Sequence, residues 1–155
     1  MLGRYFIFLL MLMFGCSPKD AVESPVEIIK EEGIKIEIRS ASQKLRTCDL
    51  LELTIDVVYP QSFKIKLPDS KADFGDFSIY QINQNSPLAV NESSNHLSQV
   101  IILEPGLPAS HQLPPLNFNF WNENNEQKTY SSKTLSFEVV SSINAEKNKI
   151  GRAHV

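Results

Sequence analysis

Cysteine, glycine, tryptophan and helical periodicity are all scarce in this chain of 155 residues, and each shortage excludes something. Two cysteines, Cys16 and Cys48, are too few for a disulfide framework or a cysteine-rich zinc module. Of six glycines only Gly33, Gly75 and Gly106 fall in the central part, so no glycine-rich loop exists to cradle a phosphate. Lys and Arg total 15 against 18 Asp and Glu, a formal charge of −3 with no basic run, which argues against nucleic acid as a partner. No serine sits in a Gly-x-Ser-x-Gly elbow or ahead of a Ser-x-x-Lys pair. Nothing repeats apolar residues at i, i+3, i+4 and i+7 over three turns, so helices are not expected in the folded part. The expectation is a single domain that is not an enzyme and carries no cofactor.

What is present begins with an address. Arg4 precedes an unbroken apolar run from Tyr5 to Phe14, about half the length of a membrane-spanning helix, which reads as a secretion signal over residues 1–15. Gly15-Cys16 at its end resembles the lipobox of bacterial lipoproteins, with Met13 and Phe14 where that motif has leucine and a small residue. The resemblance implies that Cys16 is lipidated, by palmitate or a related acyl chain, and anchors the chain to a membrane of the bacterial envelope, facing the periplasm or exterior. Cys48 is then a small residue beside a strand. The alternative pairs Cys16 with Cys48 in a disulfide. At the other end, Lys149-Ile150-Gly151-Arg152-Ala153-His154-Val155 resembles the translation of a sequencing-library adapter. On that reading residues 149–155 are an artefact within a tail of 143–155, the natural chain is truncated here, and it continues past Asn148.

Residues 16–32, with Pro18, Pro25 and alternating charges, have the composition of a linker, whose end at Val26–Ile29 can add a short strand. From Gly33 the period becomes two. Ile34, Ile36 and Ile38 alternate with charged residues, as do Leu51, Leu53, Ile55 and Val57, and Phe63, Ile65 and Leu67. Phe77–Ile82, Leu97–Leu103, Leu116–Phe120 and Leu135–Val139 complete about seven strands. Asn83–Asn95 reads as a surface loop and Asn122–Glu126 as a hairpin turn. Seven strands across residues 33–142 predict an all-β, immunoglobulin-like antiparallel β-sandwich, with a barrel as the alternative.

Few residues invite chemistry. Asp69, Asp73 and Asp76 share one loop, but their spacing is not that of a calcium loop, and they read as turn acids. His96 and His111 have no second ligand at metal spacing and read as surface histidines. Asn91-Glu92-Ser93 fits a glycosylation acceptor and marks an exposed loop. Trp121, Tyr130 and Tyr80 would form an aromatic platform if the domain bound an envelope polymer or a small ligand.

The runs Phe63-Lys64-Ile65-Lys66-Leu67-Pro68-Asp69, Gly75-Asp76-Phe77-Ser78-Ile79, Ile102-Leu103-Glu104-Pro105, Leu113-Pro114-Pro115-Leu116-Asn117-Phe118 and Thr134-Leu135-Ser136-Phe137-Glu138-Val139 together resemble the BatD, or aerotolerance-type, proteins. Arg46–Leu53 resembles the family's Gly-Asp-x-Leu strand entry, with Cys48 in place of the glycine. The likeness spans about Leu45 to Val139. It implies an extracytoplasmic, membrane-attached scaffold or adaptor working with a MoxR-type ATPase and von Willebrand A-domain membrane proteins, without catalytic residues.

Overall fold

A computed structural model describes residues 24–143. The signal, Cys16 and the adapter-like tail lie outside them. Twelve strands and no helix make up the described part. β1 (Ser24–Glu31), β2 (Ile34–Ser40), β4 (Leu51–Pro60), β8 (Ser94–Glu104) and β6 (Ser78–Gln84) lie side by side in that order, and β7 (Leu88–Ala89) extends the β6 edge along β8. Their period-two pattern is the cause: in β4 and β8 every second side chain is buried against the core. β1 and β2 meet through the two-residue turn Glu32-Gly33, both with positive φ, the backbone of a type I′ hairpin. β1 lies inside the stretch 16–32 expected as a linker and includes the short strand allowed there at Val26–Ile29.

The opposing layer is a kinked ribbon. β9 (Ala109–Leu113) continues into β10 (Asn117–Trp121), and β11 (Gln127–Ser131) continues into β12 (Leu135–Val140), each pair antiparallel to the other. At the kink stand Pro114 and Pro115, which have no N–H to give to a ladder. Ser132 bridges the gap: its N–H donates to the Leu116 carbonyl at 2.9 Å, and its hydroxyl accepts the Leu116 N–H at 2.9 Å. The ribbon is thus split into two three-stranded sheets, completed by β5 (Lys64–Lys66) beside β10 and by β3 (Lys44–Arg46) beside β12. The β3–β12 pair is parallel, an exception to the antiparallel pattern expected.

One core joins the layers. Phe118, Phe120 and Phe137 are fully enclosed, with Ile36, Ile55 and Ile101 facing them from the larger sheet. Phe120 meets Tyr59 and Tyr130 edge-on, at centroid distances of 6.3 and 5.5 Å. Burying a side chain of that size contributes roughly 3 kcal/mol. The larger sheet ends in two edges instead of closing on itself, so the architecture is the all-β sandwich and not the barrel; it is compatible with an immunoglobulin-like arrangement.

Candidate functional site

The two flanks of the sandwich are built differently. On one flank β1 faces β11. The Glu27 carboxylate accepts the Lys133 N–H through both oxygens, at 3.0 and 2.8 Å, and Lys128 Nζ reaches Glu32 at 2.8 Å, so charged groups tie the two layers together. Lys128 also stands over the Tyr130 ring, 5.2 Å from its centroid, and these partners hold its ammonium above the usual lysine range, the Glu32 contact most of all.

On the other flank β6 and β5 face each other across an open cleft of about 390 Å³, lined by Ile65, Leu67 and Pro68 on one wall and Ile82, Gln84 and Gln99 on the other. Gln99 occupies an inward position of β8 between Leu97 and Ile101 and is only 2% exposed. Its Nε2 donates to the Pro68 carbonyl at 2.9 Å and fastens the start of the Pro68–Phe77 loop to the larger sheet. That bond fixes which end of the amide is which, and Oε1 is left buried without a donor.

The free edge along β6 and β7 is unusual in its composition. From Phe77 to Asn91 no residue is charged. Of the eight large apolar side chains exposed among the described residues, four fall in this stretch: Ile79, Tyr80, Leu88 and Val90, the last three at 64, 65 and 58%. Edge strands are commonly guarded by charge, as β3 is by Lys44 and Arg46 and β5 by Lys64 and Lys66. β6 carries only a bulge between Ile79 and Gln81. Past it the ladder is regular, and the Asn85 N–H donates to the Ser98 carbonyl at 3.0 Å. Because paired and unpaired positions alternate in an antiparallel ladder, the backbone groups of Ile82 and Gln84 point away from β8, toward the open edge. The sequence shows Asn83–Asn95 as a loop, but β6 runs to Gln84, β7 lies within it and β8 starts at Ser94.

Residues singled out for chemistry take structural positions. Asp69 Oδ1 accepts the Lys71 N–H at 2.9 Å and Asp73 Oδ1 the Gly75 N–H at 2.8 Å, so both are turn acids. The Lys71 backbone bond chiefly, aided by Lys66, holds the Asp69 carboxyl below its usual range. Asp76 instead reaches His111 Nδ1 at 3.2 Å, while His111 Nε2 lies 2.6 Å from the Leu107 carbonyl. His111 is 7% exposed and packs on Phe77, which corrects its reading as a surface histidine. Facing two acceptors, its imidazole is raised above its ordinary pKa, by the Leu107 carbonyl first and Asp76 second. His96 is half-buried on the outer face of the larger sheet, with Nε2 2.9 Å from Asp56. Arg39 also bonds Asp56. Burial opposes ionisation of that carboxyl, but hydrogen bonds from Ser98, Arg39 and His96 prevail and lower its pKa.

Among the described residues no cluster of three or more His, Cys, Asp and Glu side chains is placed to hold a metal, and no helix is long and apolar enough to cross a membrane. Cys48 is an exposed thiol, 3.3 Å from Ser142 Oγ. The Asn91-Glu92-Ser93 acceptor is a turn in which Asn91 Oδ1 takes the Ser93 N–H at 2.9 Å. The three rings form no platform: Tyr130 is in the core, Trp121 is half-buried on the smaller layer, and Tyr80 stands on the far edge of the larger sheet. With this geometry in hand, no protein-family model, curated protein or solved structure was found to match the chain.

Proposed function

We propose that this protein is a non-catalytic, lipid-anchored scaffold or adaptor on the extracytoplasmic side of a bacterial membrane, of BatD-like type. It acts by protein–protein contacts in an assembly of von Willebrand A-domain membrane proteins with a MoxR-type ATPase. The observation that carries this reading is the free edge of β6 and β7, uncharged over fifteen residues and holding half of the large apolar side chains exposed among the described residues. Such an edge is a template for main-chain pairing with another polypeptide. The lipobox-like Gly15-Cys16 and the resemblance across Leu45–Val139 supply the location and the kind of assembly.

The test is purification of the full chain from detergent-solubilised membranes of its native host. The expected result is a von Willebrand A-domain membrane protein recovered with it, and palmitate incorporation that disappears with Cys16→Ala. Recovery of envelope polysaccharide in place of a protein partner would turn the assignment to the alternative, a lipoprotein that binds a polymer or small ligand through its sandwich.

A further inference from the structure

We infer that the β6 edge pairs with the β6 edge of a second copy of this chain, joining two larger sheets across a two-fold axis at Asn83. The inference rests on the contact reading above and names one partner of that surface. An extended strand is the occupant that fits, because Ile82 and Gln84 each offer an N–H and a carbonyl to the open side, two residues and so about 6.7 Å apart. In a two-fold antiparallel pair, Ile82 meets Gln84 of the other copy and Gln84 meets its Ile82. Four backbone hydrogen bonds form, with Asn83 facing Asn83 and Gln81 facing Asn85 across the axis.

What favours a second copy is self-complementarity. Symmetry sets each side chain against its own kind or a near neighbour, and a charged strand would meet like charge there. β6 has no charge, and its outward side chains Gln81 and Asn83 are amides, which both donate and accept. Within one chain they already do so, Gln81 Nε2 donating to Asn83 Oδ1 at 2.9 Å. Pro87 follows closely and limits the pairing to a short stretch. An interface of that length is smaller than the roughly 1,200 Å² of a stable complex. The dimer therefore forms at the high local concentration of a membrane surface and is weak in dilute solution.

Register-specific crosslinking of the full chain in native membranes tests this, in a Cys48→Ser background. At the axis the facing Asn83 Cα atoms are about 4.5 Å apart, within disulfide range. Asn83→Cys is expected to give at least tenfold more disulfide-linked dimer than the Cys48→Ser parent. Gln81→Cys alone is expected to stay at the parent level and to crosslink when mixed with Asn85→Cys. Equal dimer from Asn83→Cys and Gln81→Cys overturns the register, and parent-level dimer from Asn83→Cys overturns the self-pairing. Crosslinking of Asn83→Cys to a different protein gives the edge to a foreign strand and likewise overturns it. The von Willebrand A-domain recovery is read separately, so a monomer that still recovers that partner ends the inference and leaves the proposed function standing.

Discussion

The two flanks of the sandwich start from the same situation, a sheet edge from each layer exposed side by side, and reach opposite outcomes. On the β1/β11 flank Glu27, Glu32, Lys128 and the Lys133 N–H lie within bonding distance and cross the gap. On the β5/β6 flank Lys66 lines the gap and pairs with Asp69 of its own layer at 3.2 Å, the β6 edge carries no acid to reach across, and the gap stays open as a cleft. Composition of the edge, not its place in the fold, decides whether a flank is sealed from within or left for something else.

The largest effect is expected where both flanks share support. Phe120→Ala removes a fully buried ring between Tyr59 and Tyr130 and should cost about 3–5 kcal/mol in denaturant unfolding. Hydrogen exchange should rise at β11 and at β5, which both pair with the strand that carries this ring; a rise at one of them alone would show that the ring supports a single flank. Next comes Gly75→Ala. Gly75 has φ +62°, and an added Cβ would lie 2.8 Å from the Gln112 carbonyl oxygen, so the Pro68–Phe77 loop must lift from β9. We expect a loss of about 2 kcal/mol, with faster exchange at Phe77 and no change at Lys133. An unchanged melting temperature would show that the loop is not held by this close approach.

Smaller still is Glu27→Gln, which weakens the clasp on the Lys133 N–H and should cost roughly 0.5–1 kcal/mol because the site is exposed. Its clearest readout is faster exchange at Lys133 alone. The least effect is that of pH on His111. Its folded pKa is raised, so the folded state binds the proton more tightly than the unfolded chain does. The stabilisation is complete below the unfolded value of about 6.5 and is lost as pH rises through the higher folded value. His111→Gln should flatten stability over that window, and an unaltered pH profile in the variant would remove the histidine from the account.

The sequence discloses the larger sheet far better than the smaller layer, for a physical reason. β2 and β4 bury alternate rows of three and four aliphatic side chains, Ile34 to Ile38 and Leu51 to Val57, and β8 buries Leu97, Ile101 and Leu103 in the same register, so period two is legible in them. β11 has Tyr130 as its one inward residue, β3 only Leu45, and β9 pairs Leu113 with an inward His111, so their alternation is too short or too polar to read. His111 looked like a surface residue because its partners, Asp76 and the Leu107 carbonyl, reach it only through the fold. Nothing next to Gln99 in the sequence marks it out, yet its amide holds Pro68 from 31 residues away. The turn acids Asp69 and Asp73 were legible because an Asx turn is written in three consecutive residues. Of the β6–β7 edge, the exposure of Asn83–Asn95 was legible from its composition. That this stretch is the exposed edge of a sheet was not.

β12, Leu135–Val140, is flanked by β9, about twenty residues earlier, and by β3, about ninety residues earlier. During synthesis neither of those strands has anything to pair with until Leu135–Val140 emerges. That part of the smaller layer therefore assembles only once Leu135–Val140 has been made, from long-range contacts whose closure is slow. Until Leu135–Val140 is made, the two other strands of that sheet are a pair of unfilled edges, so the order of synthesis sets the order in which this end of the sandwich can close.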